Sequence, residues 1–474
     1  MVFSSLIFVF LFLTMNLAVY FLVRSVTVRN LILLAFSLVF YSWGGLQYLF
    51  LLLGMAACSW FCARMIGRAI ENGKTGKLWL VIDCVVSLGL LGIFKYAVFV
   101  LTNLQLWTGF PDSVPEIVLP IGISFYTFQL ISYVVDVYRK EVDAQPRYWK
   151  VLLYCSLFHQ CIAGPIVRYQ TVAAEIDNRS VTADDVADGI RRFSVGLAKK
   201  AVLANGCAMI ADTLLENTVS APVAGLWLGM FCYMLQIYLD FSAYSDMAIG
   251  MGRMVGFHYL ENFDYPYMAS SVQDFWRRWH ISLSTFFRDY VYIPLGGSRR
   301  GNLFTVRNMF IVWFLTGFWH GASWNYMLWG LYFFIFLTFE RFLWKKVLDR
   351  IPRVFGHIYA LLVIFFGWVI FKFEDLSVLW QAFSGMFGAG ARPLSSMMVY
   401  YTFLNHIFLI GFCVIAVTPL GKKLRDFCYD RAPENGAACR LLQALDAVLP
   451  AALLVLSLLT LVGDSYNPFL YFQF

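Results

Sequence analysis

The stretch Leu78-Trp-Leu-Val-Ile-Asp-Cys-Val-Val-Ser-Leu-Gly-Leu-Leu-Gly-Ile-Phe-Lys-Tyr-Ala-Val-Phe-Val-Leu-Thr-Asn103 is apolar over more than the thickness of a bilayer. A helix rises about 1.5 Å per residue, so about 20 residues cross the roughly 30 Å hydrocarbon core. Similar runs lie near 5–23, 30–46, 47–64, 119–138, 190–216, 222–251, 303–320, 324–344, 355–373, 401–420 and 447–464. A shorter run near 150–166 is broken by Gly164-Pro165 and reads as re-entrant. The whole chain of 474 residues is 60% hydrophobic and only 14% charged. A soluble protein carries roughly a quarter charged residues, so lipid has to cover much of this surface. The expected class is an all-α polytopic membrane protein of about twelve spans, forming a single integral-membrane domain over 1–474. No internal repeat or soluble domain appears, and the longest hydrophilic stretch, 168–192, is too short to fold alone.

The net charge of +7 does not indicate nucleic acid, because the basic residues sit in short loops between apolar runs. Arg24 and Arg29 follow the first run, Arg64, Arg68, Lys74 and Lys77 the third, and Arg139, Lys140, Arg147 and Lys150 the fifth. Lys422, Lys423, Arg425 and Arg431 precede the last. The alternate loop 105–118 and the tail 464–474 contain neither Lys nor Arg. The positive-inside rule then places the basic loops in the cytoplasm and both termini outside. Met1–Val23 has no basic leader and no small-residue cleavage site, so it reads as a first span rather than a signal peptide. The ten cysteines are scattered through apolar segments without CxxC or Cys/His metal spacing and read as packing residues. No metal is expected.

Polar groups at membrane depth are costly and mark candidate sites. Lys95, Asp136, Glu340 and Asp83 lie near helix ends, where snorkelling or one ion pair suffices. Tyr238-Leu-Asp-Phe-Ser-Ala-Tyr-Ser-Asp246 is different, with two carboxylates, two hydroxyls and two tyrosines in nine residues. Asp240 and Tyr244 share one helix face, Ser242 and Asp246 another. This density fits either a wetted cavity or a hydrogen-bonded network behind a site.

Residues 272–291 read as one amphipathic helix lying in the cytoplasmic interface. Trp276, Trp279, Leu283, Phe286, Phe287 and Tyr290 form its apolar stripe, opposite Asp274, Arg277, Arg278, Arg288 and Asp289. His280 falls at the apolar margin, where a satisfied interfacial ring is the simpler reading. His320 lies in Phe314-Leu-Thr-Gly-Phe-Trp-His-Gly-Ala-Ser-Trp-Asn325, at a turn between two apolar runs. Gly317 and Gly321 permit a helix break, and Trp313, Trp319, Trp324 and Trp329 supply large rings around it. An imidazole shielded there can serve as general base near neutral pH. Gly463-Asp-Ser465 looks like an esterase nucleophile motif but has no downstream Asp/His pair.

Several stretches carry a resemblance that runs from the first residue to the last. They include Leu119-Pro-Ile-Gly-Ile-Ser-Phe-Tyr-Thr-Phe-Gln129, Ala163-Gly-Pro-Ile-Val-Arg168 and Asp240-Phe-Ser-Ala-Tyr-Ser-Asp-Met-Ala-Ile-Gly250. Further examples are Asp274-Phe-Trp-Arg-Arg-Trp-His-Ile-Ser-Leu-Ser284, Arg288-Asp-Tyr-Val-Tyr-Ile-Pro-Leu-Gly-Gly297 and Phe318-Trp-His-Gly-Ala-Ser-Trp-Asn325. The chain resembles the alginate O-acetyltransferase branch of the membrane-bound O-acyltransferases, with the motif-bearing core at roughly 119–345. One departure is Phe158-His-Gln160, where a proline-containing run is expected; it makes His159 a candidate lining residue.

The resemblance implies that His320 is catalytic, with His280 as a second active-site residue. It also implies tilted helices around a central pore in a bacterial inner membrane. The donor it implies is a cytoplasmic thioester, acetyl-CoA, with no permanently bound cofactor. The acceptor is an extracytoplasmic polysaccharide such as alginate or cellulose, reached through a partner of SGNH-hydrolase fold. Asp240, Tyr244, Asp246, Trp276, Arg277, Arg278, Arg288, Trp319 and Asn325 are candidate substrate or pore-lining residues. The three arginines suit either CoA phosphates or lipid headgroups. Rival readings are D-alanyl or peptidoglycan O-acyl transfer, and a non-enzymatic export subunit.

Overall fold

The computed structural model describes residues 2–162, 164–433, 436–463 and 469–470. Among the described residues every regular element is a helix. Seven helices among the described residues are long and apolar enough to cross a membrane: Leu46–Glu71, Lys77–Thr108, Ala183–Leu215, Val223–Met254, Trp324–Trp344, Arg353–Lys372 and Ala437–Gly463. Met397–Asn405 and Ile407–Ala416, bent by 59° at His406, make an eighth if they form one span.

Four of the twelve expected runs lie outside that count. Ile7–Leu22 and Val26–Ser42 are apolar but shorter. Ile123–Tyr138 has 16 residues, and Asn302–His320 has 19 but carries Arg307, three asparagines or histidines and two threonines. The run near 150–166 is broken, as its Gly-Pro step suggests. It gives the short helix Tyr148–Ser156, followed by buried irregular backbone.

The chain divides into two compact units. The first comprises Met1–Phe193, Met247–Glu261 and Thr285–Pro294. Its centre is Ile123–Tyr138, on which only Val135 and Tyr138 are not buried. It carries Ser124, Thr127, Gln129, Ser132 and Asp136, polar groups that are costly to expose to lipid, and neighbouring helices enclose them. Asp136 and Asp83, expected to sit at helix ends, are both buried within this unit. Tyr290 donates its phenolic proton to Asp136 at 2.6 Å, and Ser59 donates to Asp83 at 2.6 Å. Cys58, Cys62 and Asp83 bring three ligand atoms within 4.8 Å, a grouping hidden in the sequence because Asp83 comes from the next helix.

The second unit comprises Ser194–Asp246, Asn262–Ser284 and Leu295–Phe474. Its framework is the helical hairpin Asn302–His320 and Trp324–Phe339. Gly317 and Gly330 face each other across it, and a Cβ on either would overlap a backbone carbonyl oxygen of the other helix, Tyr326 or Trp313. Backbone approach this close, through small residues, is how apolar helices associate when lipid removes any hydrophobic drive between them.

Candidate functional site

His320 is the last residue of its helix, and Gly321 follows in extended conformation. A side chain at Gly321 would overlap the ring of Tyr326, so only glycine lets the chain turn here. The His320 imidazole is 5% exposed and boxed by rings. Its centroid lies 5.0 Å from Trp319, 4.9 Å from Trp329 and 5.4 Å from Phe371. Asn325 donates to the carbonyls of Ile370 and Phe371 at 3.3 and 3.1 Å. It therefore satisfies the C-terminal carbonyls of Arg353–Lys372 instead of lining a cavity, and it fixes the helix that delivers Trp368 and Phe371.

One side of His320 opens on a narrow cavity of about 20 Å³. Asp240, Phe241, Trp279, Trp368, Phe371 and the C-terminal pair Phe469-Leu470 are among its walls. That volume holds one water-sized group with little room to spare. Asp240 is 1% exposed, with one carboxylate oxygen 2.7 Å from the Lys200 ammonium and the other accepting the Leu470 N–H at 2.7 Å. Tyr244, one turn on, packs its ring against that of Phe469, with centroids 4.7 Å apart. The shared face of Asp240 and Tyr244 thus holds Phe469 and Leu470 against the cavity. Asp246 pairs with Lys199 at 2.7 Å. Both lysines come from the π-helical turn Lys199–Ala204, a pairing that sequence spacing cannot reveal.

The expected continuous helix 272–291 is broken. Val272–Arg278 and Ile281–Phe287 are separate helices, and Arg288–Tyr292 is π-helical. The break falls at His280, whose φ of 44° lies in the left-handed region. A non-glycine residue pays for this conformation only when its surroundings hold it, and Asn262 does so. Its backbone carbonyl accepts the Ile281 N–H at 3.0 Å, and its Oδ1 accepts the Ser282 N–H at 3.1 Å and the Ser282 hydroxyl at 2.9 Å. His280 Nδ1 lies 3.3 Å from the same Oδ1. Because the Ser282 amide can only donate, that atom must be the oxygen, and the imidazole proton is assigned to Nδ1. Nε2 is then the acceptor, buried with no partner among the described residues. His280 stands one ring behind the cavity, 4.8 Å from Phe241 and 5.9 Å from Trp319.

The short helix Val272–Arg278, which ends two residues before His280, is held at its start. Ser271 accepts the Asp274 N–H at 3.0 Å. Glu340 accepts the Val272 and Gln273 N–H groups at 2.6 and 2.9 Å. A carboxylate at a helix N-terminus satisfies orphan donors and complements the helix dipole. Glu340, read from sequence as a helix-end charge, is the cap of a distant helix.

The remaining candidates are dispersed. Trp276 packs with Trp313, Trp329 and Phe333, away from the cavity wall. Arg278 is paired with Asp274 and Asp264, and Arg277 is exposed. Arg288 belongs to the first unit, where it pairs with Asp289 at 2.7 Å. Arg168 reaches the same carboxylate at 2.6 Å. His159 is buried in that unit too, 3.3 Å from the Tyr259 hydroxyl.

Residues 139–379 match the membrane-bound O-acyltransferase family profile. The chain belongs to that family. It is therefore a multi-pass membrane protein and an O-acyltransferase. It is 39% identical over 502 residues to a protein of Azotobacter vinelandii named "probable alginate O-acetylase", covering all of both chains. A Pseudomonas putida protein of the same name is 40% identical over 499 residues, again covering all of both. A Helicobacter pylori peptidoglycan O-acetyltransferase is 31% identical over 517 residues, covering 100% of this chain and 98% of its own.

Burial disfavours the His280 imidazolium and pushes its pKa down to about 3. The unfolded chain takes up this proton near pH 6.5, the folded chain near 3. The ring's contribution to stability is thus complete above about pH 6.5 and is lost as pH falls toward 3. Thermal unfolding of the wild type should decline more steeply with falling pH in that window than that of His280→Gln. Parallel curves would show that the ring ionises freely in the folded protein.

Proposed function

We propose that this acyltransferase moves an acetyl group from cytoplasmic acetyl-CoA across a bacterial inner membrane for O-acetylation of an extracytoplasmic polysaccharide, alginate or a similar polymer. The observation that carries this reading is the cavity beside His320. At about 20 Å³ it excludes a sugar ring or a CoA moiety and leaves only the smallest acyl group, acetyl, as a candidate occupant once its walls give slightly. A small conduit solves the transport problem, since neither CoA nor a charged polymer crosses lipid. The full-length similarity to proteins named as alginate O-acetylases supports the polymer class.

In this reading His320 is the general base toward the accepting hydroxyl. His280, neutral and with its proton held by Asn262, offers Nε2 as an acceptor; it positions the reacting groups and does not polarise the thioester as a donor. The cavity lies within a twelve-span bundle around a pore, with both termini extracytoplasmic. A separate extracytoplasmic protein of SGNH-hydrolase fold completes delivery to the polymer.

Sealed vesicles with the cytoplasmic face outward, loaded with polymer and partner, test this. Given acetyl-CoA labelled in the acetyl group on the outside, they should accumulate label on the enclosed polymer while CoA stays outside. Label found only on the outer side, or a strict requirement for a carrier-bound aminoacyl donor, would overturn the proposal.

A further inference from the structure

The first unit contains a second cavity, of about 300 Å³, where the loop after Ile123–Tyr138 folds under the end of Leu46–Glu71. Arg64, Arg68 and Lys140 line it, together with Glu71 and Asp143. None of these five charged side chains has an ion-pair partner among the described residues, whereas the neighbouring Arg139 is paired with Glu141 at 3.9 Å. Ile70, Val137 and Val142 complete the wall with apolar surface.

The loop is held in place independently of any ligand. Trp60 donates its indole N–H to the Gln145 carbonyl at 3.0 Å, and a Cβ on Gly67 would stand 3.1 Å from that of Ala144. The helix Ile123–Tyr138 ends with the Lys140 N–H on Val137 and the Glu141 N–H on Asp136. That turn puts Lys140 at φ 63°, a position that ordinarily takes glycine. Strain kept at a charged residue on a cavity wall indicates that the charge is used there.

We propose that this cavity binds the headgroup of a zwitterionic phospholipid, one bearing a phosphate and a primary ammonium. Three cations suit the phosphate, and two carboxylates beside them suit the ammonium. A phosphate alone would leave Glu71 and Asp143 opposed to it. The carrier is a lipid because the arginines lie in the last turns of a span whose apolar stretch is only 39% buried, with Phe50 and Phe61 exposed along it. Acyl chains can lie along that helix while the headgroup enters the cavity, as in basic headgroup pockets between membrane helices. The inference is independent of the acyl-transfer site.

The test is lipid retention by the full-length protein, reconstituted in bilayers of equal phosphatidylethanolamine and phosphatidylglycerol, extracted in detergent and measured by native mass spectrometry. The wild type should retain phosphatidylethanolamine about tenfold over phosphatidylglycerol. Arg64→Gln with Arg68→Gln should lose both lipids. Glu71→Gln with Asp143→Asn should keep binding but lose the preference. Lys140→Gly, which removes charge and strain together, should weaken retention while raising the melting temperature, so that loss of binding is not loss of fold. Equal retention of the two lipids by the wild type, retention unchanged in the arginine double variant, or displacement of the lipid by inorganic phosphate would each overturn the proposal.

Discussion

Replacing His320 with alanine should lower acetyl transfer by about 10²–10⁴-fold, the usual contribution of a positioned general base. The ring ends a helix, faces the narrow cavity and is boxed by Trp319, Trp329 and Phe371. Water has little access, so no solvent base can replace it efficiently. Truncating a ring in such a box also leaves a void, at a cost of a few kcal/mol. His320→Gln keeps most of the volume and separates the two effects. Both variants should reach the membrane, and the glutamine form should melt close to the wild type while remaining as inactive as the alanine form. Transfer measured in vesicles at the wild-type rate for His320→Gln would remove the histidine from the chemistry.

Lys200→Met should destabilise the second unit by about 3–5 kcal/mol, the range for stranding one member of a buried ion pair. Lys200 is 4% exposed and Asp240 1%, so neither charge can turn to water when its partner is lost. The double variant Lys200→Met/Asp240→Leu should recover most of that stability, because the pair is then replaced by apolar volume. It should not recover activity. Asp240 also accepts the Leu470 N–H, and without it Phe469-Leu470 lose their anchor beside His320. Tryptophan fluorescence during heating reports the first effect and vesicle assays the second. A single variant as stable as the double one would show that the pair is not electrostatically coupled.

These two residues also show how far the sequence could be read. Asp240 stands out because a carboxylate in an apolar span demands an explanation, and its sharing a face with Tyr244 follows from helix geometry alone. Lys200 is invisible as its partner, because the two lie on different helices and no local rule links them. His280 teaches the same lesson in reverse. Periodicity placed it on the margin of a helix, since the stripe Trp276, Trp279, Leu283 has the right spacing. The helix breaks there because Asn262, a residue 18 positions earlier, takes the backbone donors that would have continued it.

Mass composition and the lengths of apolar runs were sufficient to determine a multi-pass helical membrane protein, because lipid demands internally satisfied backbone and tolerates little else. The turn at Gly-flanked His320 and the hairpin it joins were legible for the same local reason, as glycine alone permits the required approach. Everything that makes a site of them came from tertiary structure. The cavity brings together residues from five separate segments, Phe469-Leu470 among them. The Lys200–Asp240 and Lys199–Asp246 ion pairs, the Glu340 cap and the Asn262 clamp each join residues far apart in sequence. Such long-range pairings are selected by burial, where an unsatisfied charge or donor is expensive, and not by any pattern along the chain.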